Sequence, residues 1–143
     1  PVVAAGGIGD SRGFGAAFAL GAKGVQIGTR FIASHECIAH ADFKKSICES
    51  KGMDTILFGS GSLLARVIRT PFVEGTSQAP AEQSIEDVAL IQKKTWIDGD
   101  LNAGAFSDGQ IAGIVNEVKS VREIIEERVH QGKKVKKRFA AKA

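Results

Sequence analysis

The sequence lacks any long apolar run. No stretch reaches the roughly 18 residues that a helix needs to cross a bilayer. The opening PVVAAGGI has neither the charged start nor the cleavage pattern of a secretory signal. No membrane partner is therefore expected, and the expected location is cytoplasmic. Cysteine is scarce: Cys37 and Cys48 are the only two, eleven residues apart in a stretch that reads as one helix. A rise of about 1.5 Å per residue would hold them about 16 Å apart, beyond the reach of a disulfide. They are expected to be inert, partly buried thiols in a reducing compartment. No internal repeat is present, and the one biased segment is the end of the chain.

Acidic residues are missing from the last eleven positions, where Lys133, Lys134, Lys136, Lys137, Arg138 and Lys142 cluster. These six exceed the net charge of +3, so the remaining thirteen basic residues face 16 acidic ones in the body. The body is not a basic module. The tail interleaves no aromatic side chains for base stacking beyond Phe139, so residues 133–143 read as a solvated, disordered terminus. No nucleic-acid partner is expected.

What is present is material for one compact domain or for a piece of a larger one: 143 residues, 43% hydrophobic. Pro1 in place of methionine favours a piece. Pro1–Ala5 is a short continuous apolar run bounded by glycines, the pattern of a strand buried on both faces. Asp10 or Ser11 can cap a helix in which Phe14, Ala17, Phe18 and Gly21 form one apolar face. Gly24–Ile27 reads as a second buried strand, closed by Gly28 and Thr29. A strand, helix and strand with tight connections make the two strands parallel and the crossover right-handed. Beyond this unit, Ser34–Ser50 reads as helix, Asp54–Phe58 as strand, and Gly59–Ser62 as a break. Leu63–Phe72 reads as strand or extended chain. Ala81–Lys94, Gly109–Lys119 and Val121–Val129 read as helices. The division is residues 1–34 as the strand–helix–strand part, 35–132 as a mostly helical region, and 133–143 as the tail.

Ligands of parallel α/β proteins bind at the carboxyl ends of the strands. Gly6-Gly7 and Gly28-Thr29 occupy that end of two successive strands. A glycine lets its peptide N–H approach an anion closely, and helices starting nearby add partial positive charge. With the Thr29 hydroxyl as an extra donor, these residues describe a phosphate cradle.

The stretch PVVAAGGIGDSRGFGAAFALGAKGVQIGTRFIAS resembles the end of the flavin-binding barrel of nitronate monooxygenases, also called 2-nitropropane dioxygenases. It resembles equally their relatives, the flavin-dependent enoyl-acyl-carrier-protein reductases. AAGGI and ALGAKGVQIGTRF carry the resemblance, and GQIAGIV (Gly109–Val115) is similar to that family's later GQ helix start. The resemblance implies the last two strands of a TIM (β/α)8 barrel plus C-terminal helices, in an α/β protein. It implies that Gly6, Gly7, Gly28 and Thr29 hold the FMN phosphate, that Gln110 lies near the flavin, and that NAD(P)H serves some members as co-substrate. The substrate would be a small-molecule nitronate or an enoyl thioester. A whole barrel of this kind needs about 250 residues, so the catalytic residues are expected upstream. The chain is then expected to form homo-oligomers or to associate with the missing N-terminal part. Two other readings stay open: a nucleotide-binding barrel of the inosine monophosphate dehydrogenase type, and a non-catalytic fragment that keeps the cradle.

Other patterns fail on geometry. His35 and His40, five apart on a helix, would point about 140° away from each other and could not share a metal. His130 reads as an exposed capping residue near a helix end. Asp98–Gly104 starts like a calcium loop, but Ala103 and Gly109 stand where glycine and glutamate are required, so it reads as a polar turn. Gly59 and Gly61 begin a dinucleotide-like spacing that Leu64 breaks. Arg66 and Arg69 read as a solvated face rather than a site for a phosphate or thioester carrier. No metal site and no nucleophile–base pair emerge.

Overall fold

The computed structural model describes residues 1–61, 64–76 and 85–140. β1 (Val3–Ala5), α1 (Ser11–Ala19) and β2 (Gly24–Gln26) form the expected unit. β1 and β2 pair in parallel, with Val3 opposite Gly24 and Ala5 opposite Gln26. Asp10 caps α1 by accepting from the Arg12 and Gly13 N–H groups, both at 3.0 Å. The Phe14 and Phe18 rings pack 4.9 Å apart on one face of that helix. That face meets the long C-terminal helix, where a Cβ on Gly132 would lie 3.2 Å from the Phe14 ring. The two strands are not buried on both faces as expected: Val3 is 58% exposed, because the sheet has only these two strands.

After β2 come α2 (Thr29–Ile32), α3 (Ala41–Glu49), β3 (Thr55–Phe58), β4 (Ala65–Ile68), α4 (Pro71–Gly75) and α5 (Ile85–Trp96). A 3₁₀ turn, Gln110–Ile114, precedes α6 (Val121–Ala140). β3 and β4 pair antiparallel, Phe58 opposite Ala65. The core lies in this part of the chain. Phe43 of α3 is fully buried, its ring 4.5 Å from Phe106 and 5.2 Å from Trp96. Ile47, Ile68, Ala112 and Val115 close around it.

Several sequence expectations need correction. Ser34–Ser50 is not one helix. The chain leaves helical conformation after α2 so that Ser34 can bridge Lys119 in parallel, with the His35 N–H donating to the Lys119 carbonyl at 3.0 Å. Helix resumes only where His40 Nδ1 accepts from the Asp42 N–H. The 16 Å separation of Cys37 and Cys48 along one helix therefore has no basis, and neither does the 140° argument for His35 and His40. Both cysteines remain free thiols at the edge of the core, and burial pushes the Cys48 thiol up.

Gly109–Lys119 is not a full helix either. It is pinned at both ends: the Gly109 N–H donates to Thr29 Oγ1, and Lys119 is held in the extended bridge to Ser34. Between them a single 3₁₀ turn fits, with Gly113 against the Gly52 backbone, where a Cβ would come within 2.7 Å. At the other extreme α6 runs to Ala140, through most of the tail expected to be disordered. His130 thus lies within a helix rather than near its end. Arg66 is tied across the hairpin, donating to the Thr55 carbonyl and hydroxyl at 3.2 and 3.3 Å, whereas the Arg69 side chain is exposed. Asp98–Gly104 is the expected polar turn, with Asp100 accepting from the Asn102 N–H. Positions 62–63, 81–84 and 142, which belong to the expected break, strand, helix and tail, lie outside the described residues.

Candidate functional site

The parallel register sets Gly6 and Gly7 beside the chain that leaves β2 for Gly28. Gly6 and Gly7 adopt φ of +81° and +69°, a left-handed conformation that costs an L-residue about 1–2 kcal/mol and glycine almost nothing. A Cβ added at Gly6, Gly7 or Gly28 would meet no atom within 4 Å. These glycines are therefore not explained by crowding within the chain. Gly6 and Gly7 are needed for backbone conformation, and at all three the backbone is left open to approach. Gly28 is the N-cap of α2, its carbonyl accepting from the Phe31 and Ile32 N–H groups at 2.8 and 3.2 Å, which leaves the Thr29 and Arg30 N–H groups without an acceptor earlier in the helix.

Thr29 departs from the simple role of a free hydroxyl. It is 6% exposed, and its Oγ1 accepts from the Gly109 N–H at 2.9 Å. The Gly109 N–H also meets the Asp108 carboxylate, and the Thr29 hydroxyl lowers the pKa of that carboxyl. Thr29 thus ties the start of α2 to the segment that carries Gln110. Gln110 itself is exposed, one residue beyond that tie. The structure brings the two strand ends together and attaches the Gln110 segment to them.

Asp108 was not singled out by sequence. It is 6% exposed, and Oδ1 accepts from the Gly109 N–H at 2.9 Å. Oδ2 is buried with no partner among the described residues. Burial is the dominant cause that pushes its carboxyl up to about 6, against the lowering effect of bonds from Thr29 and Gly109. The available signal was its place immediately before GQIAGIV.

Two arginines were also missed. Arg30 donates through Nη1 to the Glu117 carbonyl at 2.6 Å. Arg128 donates through Nη1 to the Ile124 carbonyl at 2.7 Å and through Nη2 to the Gly9 carbonyl. Each is 5% exposed. Spacing could have found Arg128, which falls one turn after Ile124 on the apolar face of α6. Both line a cavity of about 370 Å³ between the α1 start, α2 and α6. Among the described residues no group of histidine, cysteine, aspartate and glutamate could hold a metal, and no helix is long and apolar enough to cross a membrane.

The chain is similar to proteins of known family. A probable nitronate monooxygenase of Staphylococcus aureus is 46% identical over 79 residues, covering 54% of this chain and 22% of that protein. Among solved structures, FabK from Thermotoga maritima superposes over the whole chain with a TM-score of 0.87 at 39% identity, covering 47% of FabK. Nitroalkane oxidase from Streptomyces ansochromogenes superposes over 96% of the chain and 40% of its own length, with a TM-score of 0.78 at 26% identity. The chain thus spans about a fifth of the curated relatives and under half of these structures. The family pattern for nitronate monooxygenases matches residues 1–131, so the chain belongs to the nitronate monooxygenase family.

Proposed function

We propose that residues 1–34 form the FMN-phosphate end of a flavin-dependent oxidoreductase that oxidises alkyl nitronates with O2. In this reading β1 and β2 are the last two strands of a (β/α)8 barrel. The observation that carries it is the set of three glycines, Gly6, Gly7 and Gly28, at the ends of two paired parallel strands, with open space where each Cβ would stand. Peptide N–H groups there can reach a phosphate that any larger residue would hold off. Thr29 contributes its N–H, while its side chain, held by the Gly109 N–H, fixes the orientation of the α2 start. Gln110 follows Gly109, which is tethered to the same point, and in this reading lies near the flavin. FMN, when bound, supplies the two-electron chemistry; the protein supplies position and electrostatics. No described residue is assigned as catalytic.

Reduction of an enoyl thioester with NAD(P)H is the second reading. The higher identity to FabK than to nitroalkane oxidase, 39% against 26%, favours it.

The test is a titration of FMN and of riboflavin, which lacks the phosphate, followed by flavin fluorescence. FMN is expected to bind more tightly than riboflavin. Gly28→Val is expected to weaken FMN about a hundredfold, the equivalent of about one charge-assisted hydrogen bond, and to leave riboflavin unchanged. FMN affinity that survives the substitution overturns the cradle. Oxygen uptake with a nitronate supports the first reaction, and NAD(P)H oxidation with an enoyl thioester supports the second.

A further inference from the structure

The cavity of about 370 Å³ is lined by Gly9, Arg30, Arg128, Lys119, Glu117 and Glu127 among others, but not by Gly6, Gly7 or Gly28. Its two arginines are more than nine-tenths buried and neither forms an ion pair with a described residue. Arg30 Nη2 and Arg128 Nε are buried with no hydrogen-bond acceptor among the described residues. The carboxylates nearby are committed elsewhere: Glu117 and Glu127 both hold Lys119, at 2.7 and 2.5 Å. Asp10 holds Arg12 at 2.7 Å and caps α1.

Two buried guanidinium groups lining one cavity, each with a nitrogen left without an acceptor, are an expensive arrangement unless a further negative charge meets them. Burial pulls both below the ordinary arginine value, and for Arg128 the proximity of Arg30 adds to this, while Cys48, Glu117 and Glu127 near Arg30, and Glu127 and Asp10 near Arg128, offset part of it. Arginine forks match the oxygens of phosphate in pairs.

We propose that this cavity is a phosphate-binding site, in which Arg30 from α2 and Arg128 from α6 grip one phosphate group from two sides. The bound anion would tie α2 to α6 through the two guanidinium groups, while Arg128 keeps its own bond to the Gly9 carbonyl. The volume admits a small phosphomonoester as well as free phosphate, and the two share the same recognition chemistry.

The experiment titrates inorganic phosphate into the 143-residue chain in a chloride buffer of constant ionic strength, reading the thermal unfolding midpoint and the heat of binding. A saturable rise of the midpoint with one phosphate per chain is expected. Arg30→Lys and Arg128→Lys keep the charge and lose the fork, and each is expected to weaken phosphate about tenfold. An excess of FMN, which fills the cradle, is expected to leave this binding unchanged, which separates the cavity from the cradle. Tighter binding of glycerol 3-phosphate than of phosphate would identify an ester as the ligand; equal or weaker binding would identify the free anion. The proposal is overturned by no saturable response in the unmodified chain. Unchanged affinity in either lysine variant, or loss of binding in the presence of FMN, overturns it equally. Should a lysine variant lose its cooperative transition, the Nε–H resonances of Arg30 and Arg128 decide in the unmodified protein. They are expected to move with phosphate, and resonances that stay in place overturn the proposal.

Discussion

Asp108 shows how one residue can carry a measurable property of the whole. Its ordinary carboxyl value of 3.8 is pushed up to about 6 by burial, so the folded chain holds the proton more tightly than the unfolded chain. Between about pH 4 and pH 6 Asp108 therefore holds more protons in the native state than in the unfolded chain, and its contribution to stability falls as pH rises through that window before levelling. Asp108→Asn removes the charge while keeping an acceptor for Gly109. Its urea midpoint is expected to exceed that of the unmodified protein at pH 7.5 and to lose that advantage at pH 4. Identical pH profiles would show that Asp108 ionises freely. The residues of the cradle were legible in sequence because glycine and strand-end position are local signals. Asp108, Arg30 and Arg128 were not, because their burial depends on chain segments 79 to 119 residues away that sequence alone does not bring together.

At the scale of elements, legibility followed the range of the forces that set each boundary. α1 starts at Asp10 because the capping side chain lies within three residues of the N–H groups that it satisfies. The start of α6 is similarly local, a reciprocal cap in which the Ser120 hydroxyl accepts from the Glu123 N–H at 3.2 Å. Glu123 Oε2 in turn accepts from the Ser120 N–H at 2.9 Å. Glu36, 85 residues away, adds its carboxylate to the Val121 N–H at 3.0 Å. Ser120→Ala is expected to cost about 1 kcal/mol in chemical denaturation. A loss below about 0.3 kcal/mol would mean that Glu36 caps the helix alone. The expected helices at Ser34–Ser50 and Gly109–Lys119 failed for the opposite reason. Their apolar spacing is helical, but the Ser34–Lys119 bridge and the Thr29–Gly109 bond offer each segment distant partners that an unbroken helix would forgo.

At the scale of the whole molecule, the packing is unevenly distributed. Phe43, Phe106, Ile47 and Ile124 are fully buried, while Val3 is 58% and Leu20 is 90% exposed at the β1–β2 side. Phe43→Ala is expected to destabilise the chain by about 3–5 kcal/mol, the cost of an aromatic-sized void. An unchanged unfolding midpoint would mean that the aromatic cluster is not the core. We propose that the two-stranded sheet, with paired strands on one edge only, drives association of this chain with itself or with the rest of a barrel. Sedimentation is expected to show a concentration-dependent shift to larger species that Val3→Lys reduces; a monomer at all concentrations contradicts this.

The sequence by itself determined the strand–helix–strand unit, its parallel direction, the glycines at its strand ends and the family, because these rest on short-range sterics, capping and local spacing. Tertiary structure alone decided which strand faces stay exposed, which helices are interrupted, and where Asp108, Arg30 and Arg128 are buried. Those outcomes depend on hydrogen bonds and desolvation between segments far apart in the chain, for which a linear pattern carries no distance.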